Sequence, residues 1–574
     1  MRSAKGLILL GIAAAVVAAT GAGAPAVPNA STGGGQSASS ASRGPKVLTL
    51  AVQRELKGFA KFTGVAAGGG NPGAGNSQVA KIGHSYLALE DETGTFIPQL
   101  AFELPSVAKG TWTINADGTM DTTWKLKPNV RWHDGTPFTA EDLVFGSALF
   151  RDTDFPVPPE ERLNLVEYTR AADPLTYVVH WKSTVATADI PTDFDPMPRH
   201  LLEDLYRTEK QNILITPLLG SDWVGLGPYK IARWEEGVGI DFVRFDDYFM
   251  GPAPLDRILV RYIADAQAMV ANILAENADV VLSPGVNLDV ASELKLRWAG
   301  TGNQVLTPVS DTQQFLRPQF RPEIAQPRNG GPNQAVRKAM YTAMDRQTIA
   351  DATTSGLAPI ADNAWVSPTD PWRKQLEPSI VQYPYDPNRA LQLMAEGGWT
   401  RGSDGILTHQ ASGERFESKI AARPTSGADK IITLMADGWK AIGVQMDIQV
   451  LSPALAADRK TLGTQPFGIL SSQSNSRNQL PPIHSNLVAN DANRWTGRNV
   501  QGYSNPKVDA LADRVLVALD QGEQMDLHRQ LLHETTDDVA LMAVFWQVDP
   551  VLVAKGVKGV TYNGTSNIFQ WDKE

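Results

Sequence analysis

The chain has 574 residues, 42% of them hydrophobic and 20% charged, with a formal net charge of −10; this length exceeds one ordinary core and calls for two to four folded units at roughly 100–200 residues each. Charges of both signs are interspersed, with no basic stripe of the kind that condenses on phosphates, so nucleic acid is not an expected partner. There is no cysteine, which excludes disulfides, thiol nucleophiles, Cys-ligated metals and a lipid-modified cysteine behind an export signal.

Arg2 and Lys5 precede the apolar run GLILLGIAAAVVAA and then small residues, the pattern of a secretory signal with Ala24-x-Ala26 as its cleavage site. The run is shorter than the ~20 residues of a spanning helix. A signal peptide over 1–26 and a flexible Gly/Ser-rich leader over 27–44 are therefore expected, with folded structure starting near KVLTLAVQ and the mature protein free in a bacterial periplasm. Gly68-x-Gly70-x-x-Gly73 has the spacing of a dinucleotide fingerprint, but Pro72 and the following Gly and Asn predict a loop instead of the helix that motif needs. TWTINADGTMDTTWKL contains a DG turn between β-rich segments and predicts a hairpin.

WKLKPNVRWHDGTPFTAEDLVF follows, with Trp132, His133 and Asp134 consecutive beside Gly135. A strand, a DG turn and a helix capped by Thr139 with Asp142 three residues later account for every polar residue there without a catalytic or metal role. Met269, Val270, Ile273 and Leu274 mark one helical face, and the strand DVVLS comes next. Val336, Met340, Ala343 and Met344 mark another helix. Asp386 as N-cap, Pro387 at the first helical position and Gly397-Gly398 at the end frame a helix over 386–398. Ile431, Leu434 and Met435 give helical spacing over 427–443, and VQMDIQV then alternates strictly, which predicts a half-buried strand. Val508, Leu511, Ala512, Val515 and Leu519 predict a late helix, and ALMAVFW a closing strand. Helix and strand in repeated succession indicate an α/β protein.

The sequence carries no phosphate-binding loop, no H-E-x-x-H and no G-x-S-x-G elbow. His533-Glu534 lacks a second histidine at 537. The acidic pairs Asp193/Asp195 and Asp537/Asp538 are ordinary in a chain with 62 acids, although glycoside hydrolysis would use such carboxylates. Neither a metal nor a cofactor is expected, and a large secreted α/β chain without a catalytic signature suits ligand binding in a cleft.

Six stretches resemble, in order, the extracytoplasmic solute-binding proteins of family 5, the oligopeptide-, dipeptide- and nickel-binding proteins of ABC importers: 124–145, GLGPYKIARWEEG (225–237), LDRILVRYIAD (255–265), VRKAMYTAMDR (336–346), YDPNRALQLMAEGGW (385–399) and GYSNPKVDAL (502–511). The resemblance implies a type II periplasmic-binding-protein fold of two lobes with the ligand cleft between them. It implies lobe I over 45–85, 186–311 and 539–574, an extra subdomain over 86–185 holding the W-H-D-G scaffold motif, and lobe II over 312–538. It also implies a monomer, not an enzyme, that captures a peptide or peptide-like solute by hinge closure and hands it to an ABC permease with its ATPase subunits. Peptide binders of the family hold the amino terminus with an aspartate in a segment resembling W-x-x-D-x-x-D-P; the corresponding region here has no Asp-Pro, and its only acid is Asp491. Ser472, Gln473, Asn475, Arg477, Asn478, His484 and Trp495 stand there instead, with Arg477 suited to a carboxylate and Trp495 to stacking. Trp365 occupies a loop that family members bring toward the cleft. An oligosaccharide or other small organic solute is the alternative ligand, a sensory role shares the same fold, and a secreted hydrolase is the competing class.

Overall fold

The computed structural model describes residues 44–574 apart from 61–62, 64–73, 92, 153, 155–160, 192–193, 426, 475–482 and 562–563. The signal, most of the leader and the glycine-rich 68–73 stretch lie outside the described residues. Val47–Val52 is central in a seven-stranded sheet, parallel to both Arg257–Tyr262 and Val280–Val281. Its residues from Leu50 to Val52 are all buried, as is Leu48, because layers cover both faces of the sheet; hence the run reads as continuously apolar instead of alternating. The sheet is completed by Tyr229–Glu235 and Gly239–Arg244 on one side and by Val551–Val553 and Gln304–Leu306 on the other.

A five-stranded sheet has the order Gln445–Val450, Glu417–Ala422, Gly468–Ser474, Val309–Pro318 and Met542–Val548. Adjacent residues of its interior strand Val309–Pro318 face opposite layers. Leu316 joins a core with Val336, Met340, Ile431 and Trp439, whereas Phe315 joins one with Trp365, Val508, Leu511 and Leu531. A third, antiparallel sheet contains the expected hairpin, Trp112–Ile114 with Met120–Lys125, and Thr176–Trp181 with Val166–Asp173. The chain leaves the seven-stranded sheet after Leu306 and enters the five-stranded one at Val309; it returns between Val548 and Val551. The two crossings lie side by side, with Val309 paired to Val548 and Asp549 N donating to Pro308 O at 3.1 Å.

The return comes later than the expected lobe boundary at 538. Met542–Val548 pairs along Val309–Pro318 and so belongs with the second sheet; an apolar run such as ALMAVFW identifies a buried strand but not the sheet that buries it. The helices framed by caps agree with expectation: Asp386 accepts from Arg389 N, and Ala390, Leu393 and Met394 are buried. Two apolar faces differ. Leu274 is 41% exposed, and Ile448 and Val450 are 47% and 42% exposed, because Gln445–Val450 is an edge strand. The late helix ends at Val517, so Leu519 lies beyond it.

The W-H-D-G stretch is a joint. Trp132 is fully buried among Leu87, Trp124, Phe138 and Leu143. Gly135, at φ +91°, makes the turn. Thr139 N donates to the Asp142 carboxylate at 2.8 Å, which also receives Trp132 Nε1 at 3.4 Å. His133 Nε2 donates to Gly227 O at 3.0 Å while its Nδ1 accepts from Gly225 N at 3.2 Å, so the ring is neutral. A Cβ on Gly225 would stand 1.9 Å from Gly83 O; the glycine lets the GLGPY segment approach that backbone closely and offer both groups to His133. Burial pushes His133 from 6.5 down to about 4, opposed by the Gly227 bond.

Because this folded value lies below the unfolded one, the stabilisation is full above about pH 6.5 and declines as pH falls toward 4, by up to roughly 3 kcal/mol. Denaturant unfolding at pH 7 and pH 4.5 should show a larger loss of stability in the wild type than in His133→Gln; equal losses would contradict this role.

Candidate functional site

The register of Val309–Pro318 against Gly468–Ser474 is regular from Thr312 to Pro318, with Gln313 opposite Gln473, Phe315 opposite Ser471 and Arg317 opposite Ile469. Opposed residues share a face, so these six form one stripe. Along it the Arg317 guanidinium reaches back over the Phe315 ring, 5.0 Å from the centroid, and donates from Nη2 to Gln473 Oε1 at 2.5 Å. A recess of about 160 Å³ opens there, walled by Arg317, Arg423, Ile469, Ser471, Ser472 and Gln473. Burial, then the neighbouring charges of Arg423 and Arg498, pushes Arg317 down to about 10.

At the start of the same strand stands Asp311. Its neighbour Thr312 is hydroxyl-bonded to Ser474 at 2.7 Å. Asp549, on the returning crossing, accepts from Ser283 Oγ at 3.1 Å. Glu90 ends the short strand Ala88–Glu90. Burial raises all three carboxyls above the usual carboxylate range; Asp311 adds its charge against Glu90, and Asp549 against Asp311, while Lys81 opposes the rise at Glu90. Solvent reaches Glu90 and Asp311, yet nearby protein desolvates both. Residues from distant parts of the chain thus bring negative charge together beside the crossings.

A larger recess of about 390 Å³, lined by Arg337, Tyr503, Glu534, Asp537 and Asp538 among others, is internally matched. Arg337 donates to the carbonyls of Asp538, Gly331 and Pro332 at 2.8–3.0 Å and to the Asp538 carboxylate. Lys338 meets Asp537 at 2.8 Å and Lys507 meets Glu534 at 2.5 Å. The Asp537/Asp538 pair is therefore engaged by cations instead of facing a sugar; Asp195 is buried, and Asp193 lies outside the described residues. Among the described residues no three His, Cys, Asp or Glu side chains are placed to hold a metal.

Of the residues singled out from sequence, Ser472 and Gln473 line the smaller recess. Asn475, Arg477 and Asn478 lie outside the described residues. Trp365 is 8% exposed and donates its indole N–H to Thr535 at 3.0 Å, inside the Phe315 core. His484 is buried, accepting from Asn486 N and facing Asp513 at 3.2 Å. Asp491 is a surface group, its side chain 79% exposed, bonded to Lys460 at 2.9 Å and to Trp495 Nε1 at 2.8 Å. Trp495 in turn lies against Arg321 and Lys460. Asp491 and Trp495 therefore form a surface cluster with Lys460, separate from the recess walls. The sequence reading missed Arg317, Arg423, Asp311, Asp549 and Glu90. The only signal was Arg317 itself, a charge inside the strand-like run QQFLRPQF.

Residues 104–490 match the model of the bacterial extracellular solute-binding proteins, family 5. The chain belongs to this family. Among curated relatives, the oligopeptide-binding protein AppA of Bacillus subtilis is 21% identical over 475 residues, 80% of this chain and 81% of that protein. Heme-binding protein A of Haemophilus influenzae is 24% identical over 458 residues, 74% and 76% of the two chains. The substrate-binding protein CtaP of Listeria monocytogenes superposes with a TM-score of 0.72 at 19% identity, over 92% of this chain and 99% of that one. The fold is thus the two-lobe α/β architecture of family 5, and the crossings at 306–309 and 548–551 join its two main sheets. No described helix is long and apolar enough to cross a membrane.

The raised carboxyls make a checkable case. A carboxyl with a raised folded value penalises the native state above that value and not below the unfolded one. Asp311→Asn should therefore raise the thermal midpoint of the ligand-free protein at pH 7, and the gain should vanish as pH falls to about 4, the unperturbed carboxyl range. A lower midpoint at pH 7 would contradict the assignment.

Proposed function

We propose that this family 5 protein is the solute-capturing component of an ABC importer, free in the periplasm after removal of its signal, and that it catalyses no reaction. Captured solute passes to a membrane permease driven by separate ATPase subunits. In this reading lobe I comprises 45–85, 186–308 and 549–574, the extra subdomain 86–185, and lobe II 309–548, with the paired crossings as the hinge. The sheet memberships of these segments support that division.

One observation carries the ligand class. Asp311 and Asp549 are exposed and half-buried respectively yet desolvated, and the charge of Asp549 raises the affinity of Asp311 for protons as that of Asp311 raises Glu90's; a cationic group of the solute, such as a peptide ammonium, would offset this repulsion. The names of relatives that bind oligopeptides and glutathione support a peptide or peptide-like solute. The acid expected from sequence, Asp491, is bound to Lys460 on the surface, so Asp311 and Asp549 take over its charge role. Lobe closure around the bound solute follows the hinge movement of two-domain binding proteins.

Thermal-shift screening against di- to pentapeptides and against neutral oligosaccharides tests this. A ligand at 100 times its Kd adds ~2.7 kcal/mol to the native state. Stabilisation by peptides, with a smaller radius of gyration in solution scattering, is the expected result. Stabilisation by oligosaccharides alone would overturn the peptide reading.

A further inference from the structure

The buried arginines of lobe II differ in how far their donors are satisfied. Arg346 donates to Tyr341 Oη and to the carbonyls of Ala361 and Tyr383 at 2.6–3.1 Å. Arg321 donates to the carbonyls of Gly463, Val500 and Ala489, and Arg337 has carbonyls and the Asp538 carboxylate. Such arginines hold loops in place. Arg317 is 8% exposed and carries five N–H donors. Among the described residues it makes one good bond, to Gln473, and one contact at the 3.5 Å limit, to Arg498 O. No carboxylate meets it among the described residues, and the charges that reach it, from Arg423 and Arg498, are of its own sign. Burying a charge without a partner is costly, so this arrangement suits a partner that arrives from solution.

A second unmatched polar group stands beside the recess wall. Gln313 is fully buried on the same stripe, directly opposite Gln473, and neither oxygen nor nitrogen of its side-chain amide has a hydrogen-bond partner among the described residues. The recess of about 160 Å³ has room for a carboxylate and a few further atoms, since a water occupies ~30 Å³ in the liquid. Ser471 and Ser472 also line it.

We propose that Arg317, with Arg423 beside it, is an anion subsite that takes a carboxylate of the captured solute. The proposal rests on the capture reading above and adds the second pole of the ligand. The planar guanidinium offers two parallel N–H groups to the two carboxylate oxygens, a match that lysine cannot reproduce. A free oxyanion such as phosphate shares this chemistry, so the test separates the two sources.

Wild type, Arg317→Gln and Arg317→Lys are each equilibrated with a tripeptide library as free acids and with the same library as C-terminal amides, and retained peptides are counted by mass spectrometry after gel filtration. The wild type should retain free acids at least tenfold over amides; Arg317→Gln should retain both alike, and Arg317→Lys should fall between. Ligand-free Arg317→Gln should be as stable as the wild type or more so, since it loses an unmatched charge. In parallel, sodium phosphate is compared with sodium chloride at equal ionic strength. Equal retention of acids and amides by the wild type would overturn the subsite while leaving peptide capture standing. If the wild type retains neither library, peptide capture falls and the phosphate comparison decides: a higher midpoint in the wild type but not in Arg317→Gln supports a free-oxyanion site, and no difference overturns it. A lower ligand-free midpoint in Arg317→Gln would also overturn it, by making Arg317 a structural residue.

Discussion

A charge kept from water needs a partner, and most of this protein is arranged so that every such charge has one. Arg337 has three carbonyls and Asp538; Arg346 has carbonyls and a tyrosine hydroxyl; Lys338 meets the Asp537 carboxylate. Against that background Asp311 and Asp549, and separately Arg317, stand out as charges whose environment works against them. A folded protein tolerates this where the missing partner is supplied from outside.

One strand carries both kinds of unmatched charge. Val309–Pro318 emerges from the first crossing, with Asp311 near its start and Arg317 near its end, the Arg317 guanidinium folding back over Phe315. It is an interior strand of its sheet, paired on both sides, so its backbone is fixed and its side chains are held at set spacing. Acid toward the crossings and base farther along the strand fit the proposed solute, which carries an ammonium and a carboxylate. The sheet positions the charges, and the two crossings are where the chain passes between the two main sheets.

Much of the scaffold was legible in the sequence because it rests on local rules. The cap at Asp386, the Thr139/Asp142 pair and the DG turns at Asp117-Gly118 and Asp134-Gly135 act within a few residues, and their geometry is the expected one. His133 illustrates the limit: that it was structural could be read from its turn, but its partners Gly225 and Gly227, some ninety positions later, could not. The carboxyls with raised values come from still more distant segments, Glu90, Asp311 and Asp549, and no local pattern joins them. Residues near one another in sequence also diverge: Gln473 faces Arg317, whereas Asp491 and Trp495 turn to Lys460 on the surface. A loop rich in polar residues indicated the region of the site; only the pairing register showed which of its residues meet the recess.

The most direct measurement is the proton exchange that accompanies binding, from calorimetry at pH 5 of the tightest tripeptide of the free-acid library in buffers of different ionisation enthalpy. An ammonium placed beside Asp311, Asp549 and Glu90 lowers their raised affinities for protons, so binding should release protons, and the release should shrink in Asp311→Asn. Binding without proton release, or with uptake, would contradict the claim that the solute brings a cation beside these carboxyls.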